Sequence, residues 1–263
     1  MSHQSATEPA GDDASASRPS PRRSEKNFSF RVLAAPVIVF MTAIAKLEVV
    51  DGHKLPKTGS FVLTPNHFTD IDPVIIGWSV WRLGRVPRFL AKSSLFRVPV
   101  LGQALRAVRQ VPVERATKTS GGAAISAAHD LAASGEGVIV YPEGTLTREP
   151  ELWPMRGKTG AVRIALENDL PIIPVAHWGA QQILPRWSKK ISVFPRKTVH
   201  VIYGDAVDLT RFRGKPLTQS ALVEATELVM VAITELVEGL RGEKAPAERY
   251  NPARHNQSEF GAL

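Results

Sequence analysis

Short apolar segments alternate with longer amphipathic segments through most of this 263-residue chain, and this alternation constrains the fold more than any other feature. Apolar runs bounded by Pro, Gly and polar residues predict strands at 60–64, 88–91, 110–113, 137–141, 172–176, 191–194 and 198–203. Helical spacing of apolar residues predicts helices at 73–82, 97–107, 119–133, 157–168 and 217–241. Strands that alternate with helices predict an α/β fold, with a central mixed sheet flanked by helices.

The two ends of the chain differ in composition from this alternating region. Residues 1–26 are rich in Ser, Ala, Pro and Asp and show no hydrophobic period, which predicts a disordered tail. The polar, proline-containing residues 243–263 predict a second disordered tail. Between the tails we expect a membrane-contacting helical segment at 27–46 and one domain at 47–242, which is long enough to bury a full core.

An almost uninterrupted apolar run of fourteen residues covers 32–45. It is too short to cross a bilayer, which needs about 20 residues. Together with Phe28 and Phe30 it suits a helix that lies in one leaflet, with basic residues at its start. A buried core helix is one alternative. A signal peptide is another, because Ala43–Ala45 has the small-x-small form of a cleavage site, although the long polar lead argues against it.

The net charge of +8 is concentrated in one window of the sequence. Between residues 82 and 118, one acid, Glu114, stands against nine Lys or Arg, at positions 82, 85, 88, 92, 97, 106, 109, 115 and 118. A block of one sign favours an anionic partner, the alternative being a solvated basic surface. The window has no run of aromatic residues for base stacking and no nucleic-acid motif, so we expect an anionic membrane surface as partner and no nucleic acid.

Several catalytic classes are excluded by residues that the chain lacks. It contains no cysteine, which rules out disulfides, thiolate metal ligands and a cysteine nucleophile. Its seven histidines include no pair at a metal-ligand spacing, so we expect no metal. No serine lies in a Gly-x-Ser-x-Gly sequence, which argues against the covalent intermediate of an ordinary lipase.

His67 and Asp72 are the strongest candidates for catalysis. A carboxylate beside a histidine fixes the imidazole tautomer and stabilises the imidazolium, so the pair can act as a general base. On one continuous helix the two side chains would lie about 140° apart. However, Pro65 ends a predicted strand and Pro73 favours a helix start, which predicts a strand-to-helix loop that can fold His67 onto Asp72. The alternative is that Asp72 only caps the helix and His67 is a surface residue.

Residues Asn66–Asp72 resemble the His-x4-Asp motif of the glycerolipid acyltransferase family, which includes the 1-acyl-glycerol-3-phosphate acyltransferases. Residues 141–145, Tyr-Pro-Glu-Gly-Thr, are similar to the Pro-Glu-Gly-Thr block of the same family. Two weaker similarities, at Val111–Arg115 and Pro171–Val175, fall in the family's order. One departure is Leu146, because the family commonly has arginine directly after Glu-Gly-Thr.

The resemblance implies that a fatty acyl group moves from a thioester, acyl-CoA or acyl carrier protein, to the hydroxyl of a lysophospholipid such as 1-acyl-glycerol-3-phosphate. It implies that His67 takes the proton of that hydroxyl and that Asp72 orients His67. A thioester is already activated, so no cofactor is expected. The alternatives are another lysolipid acceptor, a non-catalytic lipid-binding protein and a lipid hydrolase.

The resemblance also implies which cations bind the acceptor phosphate. Arg115 occupies the position of the family's phosphate-binding arginine, and Lys92 is similar to a lysine that recurs between the first two blocks. Arg148, two residues beyond Leu146, is expected to supply the charge that this departure removes. The thioester donors are made inside the cell, so the expected location is the cytoplasmic face of the cell membrane.

The turn after the strand candidate 137–141 completes the expected substrate site, because α/β sheets place ligands at the carboxyl ends of strands. Gly144 permits a tight turn, and Glu143 and Thr145 are expected to bind acceptor hydroxyls. The resemblance of Asn66–Asp72 to the family motif implies a substrate-binding role for Asn66 as well. His177, which comes after another strand candidate, is expected to be a core histidine.

Overall fold

The computed structural model describes residues 28–99, 101–107, 110–113, 130 and 134–257. Its α-helices are α1 (Phe28–Ile44), α2 (Asp72–Arg82), α3 (Leu101–Ala107), α4 (Gly160–Glu167) and α5 (Gln219–Arg241). Its strands are β1 (Ala45–Val50), β2 (Val62–Pro65), β3 (Leu90–Lys92), β4 (Val111–Val113), β5 (Val138–Ile139), β6 (Ile172–Trp178) and β7 (Lys197–Tyr203). The tail predicted at 1–26 and, except for residue 130, the helix predicted at 119–133 lie outside the described residues.

The main sheet has five strands in the order β1-β7-β6-β2-β5. Its neighbours are parallel except for β6 and β7, which are antiparallel. Strands β3 and β4 form a parallel pair, and Phe89 joins this pair to the main sheet through a bridge to Ile139. The prediction of an α/β fold with a mixed sheet is therefore confirmed.

The strand directions bring several chain segments to one end of the sheet. Strands β2, β5 and β6 end there, and β1 and β7 begin there, because β7 runs antiparallel to β6 and parallel to β1. We call this the carboxyl end of the sheet. Residues 66–72, 140–145 and 179–196, together with the last turn of α1, must all lie at this end.

The sheet is buried on both faces, which explains the nearly continuous apolar runs of its central strands. Successive residues of a strand point to opposite faces. Val62 and Ile172 accordingly belong to the hydrophobic cluster that contains α4 and α5. Leu63 and Ile173 belong to the cluster on the other face, which contains buried residues of α1 and α2.

Strand β1 was not expected from the sequence, and the strand expected at 191–194 is absent from the structure. Residues 45–50 continue an apolar run and resemble a helix end. Their strand conformation depends on pairing with β7, where Ala45 is the register partner of Lys197. A partner about 150 residues away leaves no signal in a local pattern.

Helix α1 is apolar on all sides, and its two faces have different surroundings. Met41 and Ile44 are buried in the core, and the ring of Phe30 stacks on that of Trp81 with centroids 4.9 Å apart. Val39, on the opposite side of the helix, is 70% exposed, and Phe40, next to Met41 in the chain, is 48% exposed. No helix among the described residues is long and apolar enough to cross a membrane.

The structure differs from the sequence-based expectation in residues 243–257, where a disordered tail was predicted. The Tyr250 carbonyl accepts a hydrogen bond from the Arg156 backbone N–H at 2.8 Å, and Arg249 forms an ion pair with Glu227 at 3.0 Å. A short 3-10 helix comes next, at Pro252–His255. These polar contacts with distant parts of the chain order a segment whose composition contains few apolar residues.

Candidate functional site

The loop between β2 and α2 brings His67 and Asp72 together. His67 Nδ1 lies 3.0 Å from Asp72 Oδ2. The same oxygen accepts hydrogen bonds from the backbone N–H groups of Phe68, at 2.7 Å, and Thr69, at 2.9 Å. Asp72 is completely buried. Its carboxylate therefore reaches back into the loop, and the alternative in which it only caps α2 does not describe its contacts.

These contacts define the chemistry available to His67. With Nδ1–H donated to Asp72, the tautomer that remains carries a lone pair on Nε2. The structure records no hydrogen bond from Nε2 to any residue in its described ranges. The His67 side chain is 16% exposed, and its ring stacks on that of Tyr141 with centroids 4.0 Å apart. His67 is thus oriented on one side and open to a reactant on the other.

The turn at 142–147 holds His67 by both of its backbone groups. Glu143 Oε1 accepts from the His67 N–H at 2.9 Å, and the Thr147 N–H donates to the His67 carbonyl at 2.6 Å. Glu143 Oε2 accepts from the Met155 N–H at 3.0 Å. Burial raises the pKa of Glu143 to about 8, against the opposing effect of the Met155 and His67 N–H groups. The two sequence motifs are therefore joined through main-chain hydrogen bonds.

This geometry assigns Glu143 a role that the sequence analysis did not expect. Its carboxylate is completely buried and bound to two backbone donors, so it has no exposed oxygen for an acceptor hydroxyl. Gly144 has a φ of +73°, and the Lys158 side chain passes 3.0 Å from where a Cβ would lie. Thr145 is half-buried beside them. Glu143 is a positioning residue, because it acts on the site through His67.

Asn66 also differs from its expected role as a substrate-binding residue. Its Nδ2 donates to the His177 carbonyl at 3.2 Å, and its Oδ1 accepts from the His177 N–H at 2.9 Å. Both residues are buried. A paired amide of this kind joins the ends of β2 and β6 in the way that a strand ladder would, and it leaves Asn66 turned away from solvent.

His177 is a second histidine next to Asp72. Its Nε2 lies 3.5 Å from Asp72 Oδ1 and 3.3 Å from the Asn66 carbonyl. Burial lowers the pKa of His177, which favours the neutral ring. The sequence analysis placed His177 in the core but did not detect this contact, because the strand pattern at 172–176 does not reveal that β2 is the neighbouring strand.

The expected phosphate-binding cations are only partly described. Arg115 lies outside the described residues, which stop at Val113 in this part of the chain. Lys92 ends β3, and the Phe89–Ile139 bridge places that end of β3 beside the turn after β5. Arg148 is only 5% exposed. The structure thus brings Lys92 to the carboxyl end of the sheet and buries Arg148.

The basic window from residue 82 to 118 is not one continuous surface. Arg85 is buried, with its guanidinium 4.7 Å from the centre of the Phe61 ring and bound to backbone carbonyls. Arg88 is buried in an ion pair with Glu136 at 2.9 Å. These two arginines stabilise the fold, so fewer charges face solvent than the sequence analysis assumed.

An apolar cavity of about 360 Å³ lies beside the His67 loop. Its walls come from α1, from one side of α2, from the segment before β3 and from α3 with the residues after it, and they include Phe30, Val74, Trp78, Phe89 and Leu105. The Phe89 ring lies parallel to that of Tyr141, with centroids 6.3 Å apart, and Tyr141 stacks on His67. A row of three rings therefore connects the cavity wall to the candidate base.

Comparison with known proteins gives the family to which the chain belongs. A protein-family model described as Acyltransferase matches residues 46–178, half of the chain. The matched range contains both the His67 loop and the turn at 142–147. The chain belongs to the acyltransferase family. The resemblance inferred from the two motifs is confirmed.

Individual relatives carry more specific names. The chain is 30% identical, over 62% of its length, to a chloroplast 1-acyl-sn-glycerol-3-phosphate acyltransferase of Brassica napus, and it spans about half of that protein's length (47%). It is 27% identical to the 1-acyl-sn-glycerol-3-phosphate acyltransferase of Bacillus subtilis, over 79% of this chain and 96% of that protein.

A solved structure shares the fold of this acyltransferase. It is the 1-acyl-sn-glycerophosphate acyltransferase PlsC from Thermotoga maritima, with a TM-score of 0.58 and 22% sequence identity. The superposition covers 82% of this chain and 83% of that one. This likeness concerns the mixed sheet and its flanking helices, and at this identity it shows the fold alone.

Proposed function

We propose that this acyltransferase moves a fatty acyl group from a thioester to the free hydroxyl of 1-acyl-glycerol-3-phosphate and so forms phosphatidic acid. Membership of the family supports the reaction type, and the names of the Brassica and Bacillus relatives support the acceptor. The observation that carries the proposal is His67, held by Asp72 with Nε2 open, together with an apolar cavity whose wall includes Pro73, the residue directly after Asp72.

In the proposed reaction, His67 Nε2 removes the proton of the acceptor hydroxyl as its oxygen attacks the thioester carbonyl carbon. The new C–O bond forms a tetrahedral intermediate, and the C–S bond then breaks. The imidazolium of His67 returns the proton to the departing thiolate, so the base is restored. Asp72 stabilises the imidazolium, because its buried carboxylate lies against Nδ1.

The apolar cavity is the proposed site of a fatty acyl chain. Its walls are apolar apart from the Gln110 amide, and Pro73 and Val74 extend them to the residues directly after Asp72. Removal of a hydrocarbon chain from water contributes about 0.8 kcal/mol per buried CH₂. A cavity of this size, with a wall that begins directly after Asp72, therefore favours acceptors or donors with long chains.

The acceptor phosphate requires fixed cations at the carboxyl end of the sheet. We propose Lys92 and Arg115 for this role, since β3 ends beside the turn at 142–147 and β4 ends two residues before Arg115. Burial of Arg148 argues against a direct contact from that residue. The donor is acyl-CoA or acyl carrier protein, and we propose that no cofactor takes part, because the thioester is activated already.

We propose the cytoplasmic face of the cell membrane as the location, because the acceptor is a membrane lipid and the thioester donors are intracellular. The apolar outer face of α1 supports contact with one leaflet. In that arrangement α1 packs on the domain through Met41 and Ile44 and meets lipid through Val39 and Phe40.

An assay with labelled acyl-CoA, with and without 1-acyl-glycerol-3-phosphate, tests the proposal. The expected result is phosphatidic acid that forms only when the acceptor is present. Free fatty acid in both tubes would identify a hydrolase. No product in either tube, with acyl-CoA or with acyl carrier protein as the donor, would identify a lipid-binding protein. A panel of lysophospholipids with larger head groups then tests the acceptor, since a better substrate in that panel would replace 1-acyl-glycerol-3-phosphate.

A further inference from the structure

The connection between β6 and β7 carries an unusual group of exposed apolar side chains. Residues 187–197, which we call the 187–197 loop, form no regular secondary structure before Lys197 begins β7. Phe194 is 86% exposed, the highest value among the large apolar residues that are described as exposed. Trp187, Ile191 and Val193 are also exposed. Single exposed apolar residues are ordinary, but four within eight positions indicate a contact surface.

The same segment is strongly basic. Between Leu184 and Thr198 the sequence has no acid and five basic residues, which are Arg186, Lys189, Lys190, Arg196 and Lys197. Lys189, Lys190 and Arg196 are exposed. Cationic side chains interleaved with Trp, Phe and aliphatic side chains are typical of segments that insert into the interface of an anionic bilayer. Protein–protein interfaces are enriched in aromatic residues and arginine but depleted in lysine, so the two exposed lysines favour a lipid surface over a protein partner.

The base of the loop is held in place by hydrogen bonds. The Ser192 N–H donates to the Ile183 carbonyl at 2.7 Å. Arg186 Nη1 donates to the Thr147 and Glu149 carbonyls at 2.8 and 2.6 Å. Thr69 Oγ1, in the His67 loop, donates to the Leu184 carbonyl at 2.6 Å. The apolar side chains are therefore presented by a fixed backbone that is hydrogen-bonded to the His67 loop and to the turn at 142–147.

The loop lies at the carboxyl end of the sheet, as does His67. It leads into β7, which pairs with β1 directly after α1, and Arg196 Nη2 donates to the Ala45 carbonyl at 3.0 Å. The exposed residues Val39 and Phe40 belong to the last two turns of α1 and approach the same end. Two separate apolar elements, one with many cations, thus flank the end of the sheet that contains the candidate base.

We propose that the 187–197 loop is a second membrane-inserting element, which together with α1 docks the carboxyl end of the sheet onto an anionic bilayer. Docking at this end would let a lysophospholipid reach His67 without leaving the lipid surface. The benefit to catalysis rests on the proposed function, whereas the docking itself can be measured without turnover.

Co-sedimentation of the full chain with phosphatidylcholine vesicles, with and without phosphatidylglycerol, tests the docking. We expect Phe194→Ser to weaken binding about tenfold, because a large apolar side chain is lost from the bilayer. Lys189→Gln combined with Lys190→Gln should weaken binding about tenfold at low salt, on the anionic vesicles only. The controls are Val223→Ser, at a site on α5 that is 43% exposed, and Lys215→Gln, at another exposed lysine. Both should bind as the wild type does.

Three further readouts interpret the result. Thermal unfolding must be unchanged in the loop variants, which excludes misfolding as the cause. Transfer to a short-chain soluble acceptor should be unchanged, while transfer to vesicle-embedded acceptor should fall with binding. If wild type shows no transfer but the loop variants still lose vesicle binding, the docking stands and the proposed function fails. Wild-type binding by the loop variants, or a change in their oligomeric state in place of lost binding, would overturn the proposal.

Discussion

The loop around His67 and the apolar surface formed by α1 and the 187–197 loop share one end of the sheet, but they depart from ordinary folding in opposite ways. Around His67, polar groups are buried: Asn66, Asp72, Glu143 and His177 lie in the interior. On the neighbouring surface, apolar groups are exposed, with Phe194 and Val39 the most exposed of them. Each arrangement costs stability if nothing compensates for it.

The compensation differs between the two regions. The buried polar groups find partners within the protein, since Asp72 and Glu143 between them accept four backbone N–H bonds and one from His67. The exposed apolar groups have no comparable partner among the described residues, and in our proposals that partner is a bilayer. The rigid surroundings of His67 and the exposed lipid-contact surface are thus supplied by separate elements. The two can therefore be disrupted one at a time.

The largest expected effect comes from His67→Ala. Loss of a general base should lower acyl transfer by between about 10² and 10⁴, with little change in the melting temperature, because His67 is a loop residue that contributes little to the core. The measurement is turnover with acyl-CoA and 1-acyl-glycerol-3-phosphate. His200→Ala is the control, since His200 is a half-exposed histidine on β7 that pairs with Glu48 of β1. Wild-type turnover by the His67 variant would reject the mechanism.

Glu143→Gln should destabilise the polar region and slow transfer. A glutamine can accept one of the two backbone N–H bonds, but its amide nitrogen would face the other donor. We expect the free energy of unfolding to fall by about 1–3 kcal/mol, with lower turnover because the His67 backbone loses a support. Glu149→Gln is the control, because Glu149 accepts from one backbone N–H, that of Trp153. Equal losses in the two variants would contradict a special role for Glu143.

The pH dependence of stability provides an independent test of the same residue. Burial raises the pKa of Glu143 from 4.5 to about 8, so the folded protein holds this proton over a range in which the unfolded chain has released it. The contribution of Glu143 to the free energy of unfolding should therefore fall as the pH rises from 4.5 to 8. Chemical denaturation across this range should show wild type losing stability relative to Glu143→Gln. The opposite trend would mean that the backbone N–H groups outweigh burial.

The smallest effect is expected from Gly77→Leu, which should change the preferred length of the acyl chain without affecting the acyl-transfer chemistry. A Cβ at this helical position would lie 3.6 Å from Phe89 and Pro87, so a leucine would fill part of the apolar cavity. Transfer should shift toward shorter acyl chains when substrates of increasing length are compared. Gly239→Leu, at a helical glycine with open space beside it, should leave the preference unchanged. An unaltered profile in the Gly77 variant would move the acyl site elsewhere.

The sequence predicted those features that depend on neighbouring residues. The strand, Pro65, the loop and the helix start at Asp72-Pro73 lie within a dozen positions, and that local pattern was sufficient to bring His67 to Asp72. The alternation of apolar segments was likewise sufficient to predict the α/β class, because the apolar pattern that identifies each strand or helix lies within that element.

Features that depend on distant partners were not predictable in the same way. A polar residue in a motif does not reveal whether it faces a substrate or the backbone. Glu143 and Asn66 were therefore expected to bind substrate, whereas they are buried and hydrogen-bonded to the backbone of Met155 and His177. Strand β1 exists through pairing with β7, and the role of the 187–197 loop depends on which end of the sheet it joins. Predicting each of these features requires knowledge of the strand order and of the strand directions in the sheet.

The central claim is that buried polar groups hold His67 as the tautomer with its proton on Nδ1, so that Nε2 serves as the base. Nitrogen-15 NMR of histidine-labelled protein tests this directly, with the His67 signals assigned by comparison with His67→Gln. We predict a protonated Nδ1 and an unprotonated Nε2 in wild type, and loss of this preference in Asp72→Asn. A proton on Nε2 in the neutral ring of the wild type would contradict the account.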